Sequence, residues 1–211
     1  MANFEKIYPN ITRWEMGYAN SVEDTGNYCD GKRVGTNRGI SAIQYKGVFG
    51  KCPTIEQMKN LSYADAKRIW KERYFDALKL ERLKSNELAE LYIYLVGGGA
   101  SGNLHIRQGA NKVLGKKKFP ESKGKLTSSE LDIIHSLDET KMFNAVYNIR
   151  RKWFSEHSNT KFVGGWLRRL DDIKLRFKPQ NKSTGIVLPL AFLGFGVTLL
   201  GVYLYKKYAR K

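Results

Sequence analysis

Residues 11–26 read ITRWEMGYANSVEDTG, and the chain changes character in the middle of them. Upstream, Phe4, Ile7, Tyr8, Ile11 and Trp14 recur at steps of three and four, which is one face of a helix that Pro9 starts or bends. Downstream, from Asn20 to Gly50, the periodicity is lost and six glycines appear. Within that stretch GISAIQY (Gly39–Tyr45) is the best strand candidate, so a turn-rich lobe with a small hairpin is expected. One acid, Glu15, stands at the junction between helix and lobe, flanked by Trp14 and the Met-Gly-Tyr that follows.

Helical signals return after Pro53. Thr54 with Gln57, Ser62 with Asp65, and Thr127 with Glu130 have the spacing of a hydroxyl that receives a backbone N–H and an acid or amide that reaches back. They predict helices over 54–60, 62–76, 85–96, 102–115, 127–137, 139–157 and 160–176. GKKKFPESKGK (115–125) is a polar, basic loop, and 179–184 is a linker. The fold class is therefore mainly α with one small β element.

The chain has 37 Lys+Arg against 20 Asp+Glu, a net charge of +17. Five of the positives lie beyond residue 181, where there is no acid. Such a balance favours a polyanionic partner (nucleic acid, anionic lipid or bacterial cell wall). No groove-reading motif supports nucleic acid. GIVLPLAFLGFGVTLLGVYLY (185–205) has no charged residue and is long enough to cross a ~30 Å hydrocarbon core, so 186–205 is expected to be a transmembrane helix. The basic tail behind it, 206–211, is expected to be cytoplasmic, although Lys174, Arg176, Lys178 and Lys182 on the other flank oppose that orientation. No apolar amino-terminal signal is visible, so either the carboxy-terminal span directs insertion or a phage or contractile injection device delivers the protein. Cys29 and Cys52 are either bridged or free thiols. His105, His135 and His157 stand apart, and neither a metal site nor a cofactor is expected. GGGASG (97–102) lacks the Lys-Ser/Thr ending of a phosphate-cradling loop.

Cleaving a glycosidic bond takes a carboxylic acid that still holds its proton near neutral pH. A Glu held against an indole and away from water meets that need, because desolvation disfavours the ionised form. A Glu at a helix end is also an ordinary solvated residue, and its neighbours alone do not separate the two readings. EMGY (15–18), TNRGIS (36–41), YFDALKLERL (74–83) and GGWLRRL (164–170), in that order, resemble glycoside hydrolase family 108. The resemblance implies a lysozyme-like fold and Glu15 as the catalytic acid. It also implies a substrate, the bond between N-acetylmuramic acid and N-acetylglucosamine in peptidoglycan glycan strands. Thr36 and Asn37 match the family's Thr-Asn-x-Gly segment, which would line the cleft opposite Glu15, and with Tyr18 they are the expected substrate contacts. Among Glu23, Asp24 and Asp30, Asp24 best fits the family's Asp-x-Gly spacing as the second carboxylate. An Asp before a Gly is equally a turn residue. Whether the site inverts or retains configuration is left open.

Three residues depart from the family pattern: Met16 replaces a glycine, Ile93 an acid and Gly97 an amide. The insertion NYCDGKRV (27–34) separates Asp24 from Thr36. The expected organisation is a lysozyme-like catalytic part (1–115), a helical peptidoglycan-binding part (116–177), a linker (178–185), the membrane span and the tail. The expected function is a muramidase tethered to the bacterial inner membrane, with its catalytic domain on the peptidoglycan side, serving phage lysis or entry, or local wall opening. The alternative is a non-catalytic peptidoglycan anchor of a phage or envelope assembly.

Overall fold

The amino-terminal apolar face forms α1 (Phe4–Trp14), capped by the Asn3 side chain, which accepts the N–H groups of Glu5 and Lys6. Pro9 lies inside α1 rather than at its start. Phe4, Ile7, Tyr8 and Ile11 are buried by it. The computed structural model describes residues 1–15, 17–99, 101–157 and 160–179. Met16, most of the linker, the apolar stretch 186–205 and the basic tail lie outside the described residues. Among those described, no helix is long and apolar enough to cross a membrane.

The lobe contains β1 (Tyr18–Ala19), β2 (Tyr28–Cys29), β3 (Lys32–Arg33), β4 (Thr36–Asn37) and β5 (Ile40–Ser41). β1, β4 and β5 form an antiparallel sheet in that order, with Tyr18 opposite Asn37 and Thr36 opposite Ser41, while β2 and β3 make a separate ribbon. The stretch read as a strand, Gly39–Tyr45, departs from expectation. Only Ile40–Ser41 is extended, and α2 (Ala42–Phe49) begins at once. The cause is local: the Ser41 hydroxyl accepts the Gln44 N–H and the Gln44 side chain accepts the Ser41 N–H, a reciprocal cap that starts a helix. Gly50, at φ 76°, ends it. Cys29 and Cys52 are bridged, with Cα atoms 5.9 Å apart, and with Val34, Ala42 and Met58 they form a small second core.

The remaining helices fall close to their predicted spans. They are α3 (Ile55–Lys59), α4 (Tyr63–Trp70, running on as a wider turn over Lys71–Asp76), α5 (Asn86–Gly97), α6 (Gly102–Leu114), α7 (Ser128–Ser136), α8 (Glu139–His157) and α9 (Thr160–Arg176). Thr54, Ser62 and Thr127 cap α3, α4 and α7 as their spacing requires. α5 carries Leu88, Leu91, Tyr92, Ile93 and Leu95 into the main core and packs on α1, α6, α8 and α9. α9 returns to the amino terminus: Asp172 pairs with Arg13 at 2.5 Å, and Arg176 binds both oxygens of the buried Glu90 on α5 at 2.7 and 2.8 Å. This clasp brings α9 alongside the residue that ends α1.

Candidate active site

α1 stops at Trp14 because the next backbone positions are not helical: Glu15 sits at φ −111°, ψ 58°, and Gly17 at φ +86°. The turn leaves the Glu15 side chain against β4–β5. A Cβ built on Gly39, whose φ is +72°, would stand 2.7–2.8 Å from Glu15 carbon atoms, so only glycine fits there. The glycine of TNRGIS is thus the surface on which the acid rests. Glu15 lines a cleft of about 380 Å³ together with Asp24, Thr36, Trp14, Trp70, Tyr94, Arg150, Trp153, Trp166 and Arg169, among others.

Three of the five expected site residues meet in this cleft. Asp24 makes the hydrogen bond of a turn residue, its Oδ1 accepting the Gly26 N–H at 2.9 Å, and it also lines the cleft. Thr36 also lines the cleft, and its hydroxyl is buried without a hydrogen-bond partner. Tyr18 and Asn37 are not brought to the cleft. The Tyr18 hydroxyl donates to the Val34 carbonyl at 2.9 Å, and its ring lies where a Cβ on Gly35 would be. The Asn37 amide donates to the carbonyls of Met58 and Lys59 at 2.8 and 2.9 Å. Both brace the lobe that presents Thr36. Asp30 pairs with Lys46 at 2.8 Å, and neither it nor Glu23 lines the cleft.

What local sequence could not show is the partner of Glu15. Arg169 on α9 donates to a Glu15 oxygen and, at 3.3 Å, to the Trp14 carbonyl. The two side chains are 21% and 23% exposed, so the pair is sheltered without being sealed. The setting expected of residue 15 is aromatic; the contacts the structure gives its side chain are the Arg169 guanidinium and the Gly39 backbone. The only sequence signal for Arg169 is the GGWLRRL segment that carries it.

Two of the departures from the family pattern, Ile93 and Gly97, lie in the lining of this cleft. Ile93 is buried to 1% exposure on the core side of α5. A Cβ on Gly97 would stand 3.1 Å from the Trp70 ring, which itself donates its indole N–H to the Arg38 carbonyl at 3.1 Å. The space that a side-chain amide would need is filled by tryptophan. Burial pushes the Tyr94 hydroxyl up to about 12, against the pull of Arg169 and Arg150 beside it. Burial also raises Glu90, opposed by its bonds from Arg176. Among the described residues, the metal-ligand types gathered at Cys29, Asp30 and Cys52 include two sulfurs committed to the disulfide.

The sequence model of the family described as Glycosyl hydrolase 108 matches residues 8–94. That span contains Glu15, Asp24, Thr36 and Gly39. Over this span the chain is similar to glycosyl hydrolase family 108. The matched segment supplies the acids of the cleft, while α8 and α9, outside it, supply the arginines. The solved structure titled "Structure of Brucella abortus SagA" has the same fold, with a TM-score of 0.63 at 21% identity over 82% of this chain and 92% of that one. Its coverage extends past the family-108 segment. No curated protein matches the chain.

Proposed function

We propose that this protein is an N-acetylmuramidase that cleaves the glycosidic bond of peptidoglycan with Glu15 as proton donor. The observation that carries the reading is the convergence of Glu15, Asp24 and the unpartnered Thr36 hydroxyl, from three separate segments, on one cleft. In this reading Glu15 protonates the departing sugar oxygen, and Asp24 with Thr36 holds the attacking water on the other face, an inverting arrangement. Trp14, Trp70, Trp153 and Trp166 supply ring surfaces for the sugars. Arg169 holds the carboxylate in place between turnovers. Because this pair joins opposite charges, the contact has to loosen when Glu15 takes up its proton.

The test is release of reducing ends from purified peptidoglycan by the full chain and by Glu15→Gln. Turnover by the parent that the substitution abolishes supports the reading. Wall binding without release by the parent would sink it and leave a non-catalytic peptidoglycan anchor, the reading favoured by the engagement of Glu15 with Arg169.

We further propose that 186–205 tether the enzyme to the inner membrane, so that proximity raises the local concentration of wall. The charge-free stretch supports this. The Cys29–Cys52 bridge supports placement of the catalytic part on the oxidising side of the membrane. Removing Thr184–Lys211 should move the protein from the membrane fraction to the supernatant with wall clearing retained; a chain found in the supernatant before truncation contradicts the tether.

A further inference from the structure

The lining of the cleft holds a second, differently equipped arginine. Arg150 on α8 is 2% exposed, and no carboxylate among the described residues pairs with it. Its Nη2 donates to the Gly98 carbonyl at 3.2 Å, its Nη1 reaches the His105 Nδ1 only at 3.4 Å, and its Nε has no acceptor. The rings of Trp153 and Phe154 lie 4.8 and 4.5 Å from the guanidinium. Ring faces attract the cation but accept none of its N–H groups in the plane where a carboxylate would bind. Arg150, Gly98, Trp153 and Phe154 all belong to the lining of the cleft that holds Glu15.

A buried cation without a counter-ion is costly, and structures seldom keep one without a use for it. Burial here lowers the Arg150 guanidinium to about 10, with nothing but Tyr94 acting the other way. Tyr94 marks the distance between the two functions. Its ring is 5.2 Å from the Arg169 guanidinium, and its hydroxyl donates to the Trp166 carbonyl at 3.0 Å. Arg169 is occupied by Glu15, so Arg150 is the cation of this wall whose carboxylate is missing.

We infer that Arg150, between Trp153 and Phe154, is a carboxylate-binding subsite that receives an acid group branching from the glycan strand. This rests on the muramidase reading. In a peptidoglycan strand the acid branches from the lactyl ether of alternate sugars, either as the bare lactyl carboxylate or as a carboxylate of the attached peptide. Both present the same planar, two-oxygen partner to the guanidinium. Acidity of the branch would then set which sugar of the strand seats beside Glu15.

Three ligands decide the matter, each titrated against the full chain by tryptophan fluorescence: the N-acetylglucosamine–N-acetylmuramic acid disaccharide, its lactyl methyl ester, and the disaccharide carrying a tetrapeptide. A bare lactyl acid as the ligand predicts that the free acid binds about tenfold or more tighter than the ester, the effect of one charge-assisted pair. A peptide acid as the ligand predicts that the tetrapeptide form alone exceeds the ester. Either preference should vanish in Arg150→Gln and persist in weakened form in Arg150→Lys. Equal binding of all three ligands by the parent chain overturns the subsite, and this comparison needs no variant to fold. So does a preference that survives Arg150→Gln. Release of reducing ends, measured on the same preparation, separates the two proposals: turnover without acid preference leaves the muramidase and removes the subsite, and acid preference without turnover does the reverse.

Discussion

Arg107 and Arg150 are both buried, at 3% and 2% exposure, yet they are satisfied to opposite degrees. Arg107, on α6, places all three of its nitrogens. Nε and Nη2 bind the two oxygens of Glu130 at 2.7 and 2.8 Å, and Nη1 and Nη2 take up the carbonyls of Ser122, Gly124 and Lys125. It ties the basic loop 115–125 to the start of α7, and nothing is left over for a ligand. Arg150 has one acceptor within ordinary reach, a long contact to a ring nitrogen, and an orphaned Nε. A full set of partners marks a cation that serves the fold. A deficit in a cleft wall marks one kept for something that arrives from outside.

The contrast is sharpest where activity and stability are measured together. Glu15→Gln should lower turnover by about a thousandfold or more, within the range of a lost general acid or base, while thermal melting changes little. A melting point that collapses with activity would make the residue a structural one. Arg107→Met should do the opposite, losing about 3 kcal/mol because Glu130 is left without its counter-ion, and lowering the melting temperature by ~10 °C. Its activity per folded molecule should stay at the parent level in wall-clearing assays.

Acid should reveal the same division. The Arg107 hydrogen bonds lower Glu130 from 4.5 to about 2. A depressed folded-state value means that the stabilisation is complete above the unfolded value and drains away as pH falls from about 4.5 through about 2. Melting curves over that window should show the loss in the parent and a flatter profile in Glu130→Gln. The smallest stability effect belongs to Arg150→Met: removing a buried cation that has no counter-ion should change the unfolding free energy by under ~1 kcal/mol in either direction. A loss as large as that of Arg107→Met would make the two arginines alike and erase the distinction. The geometry of the acids gives one more check. If Asp24 and Thr36 hold the water opposite Glu15, the first product seen by NMR carries the inverted anomer, and a retained anomer would assign Asp24 a nucleophile's role instead.

Much of this protein follows from contacts between residues a few positions apart. The caps at Thr54, Ser62 and Thr127, the apolar stripe of α1 and the glycine-rich lobe are local features, set by backbone N–H groups that need nearby acceptors and by side chains recurring on one face. The departure from the expected strand is equally local: Ser41-x-x-Gln44 carries the cap signature, and it outweighs the strand candidacy of GISAIQY. Glu15 and Asp24, too, were marked by motif and spacing. What tertiary structure alone decided is who faces whom. Arg169 reaches Glu15 across 154 residues of sequence, Asn37 turns to Met58 and Lys59 instead of the cleft, and Arg150 meets rings where a carboxylate was as compatible with the sequence. Periodicity says which face of a helix is buried. It does not say what charge waits on the element that buries it, and in a cleft lined by residues from Asn10 to Ile173 that missing information is the chemistry.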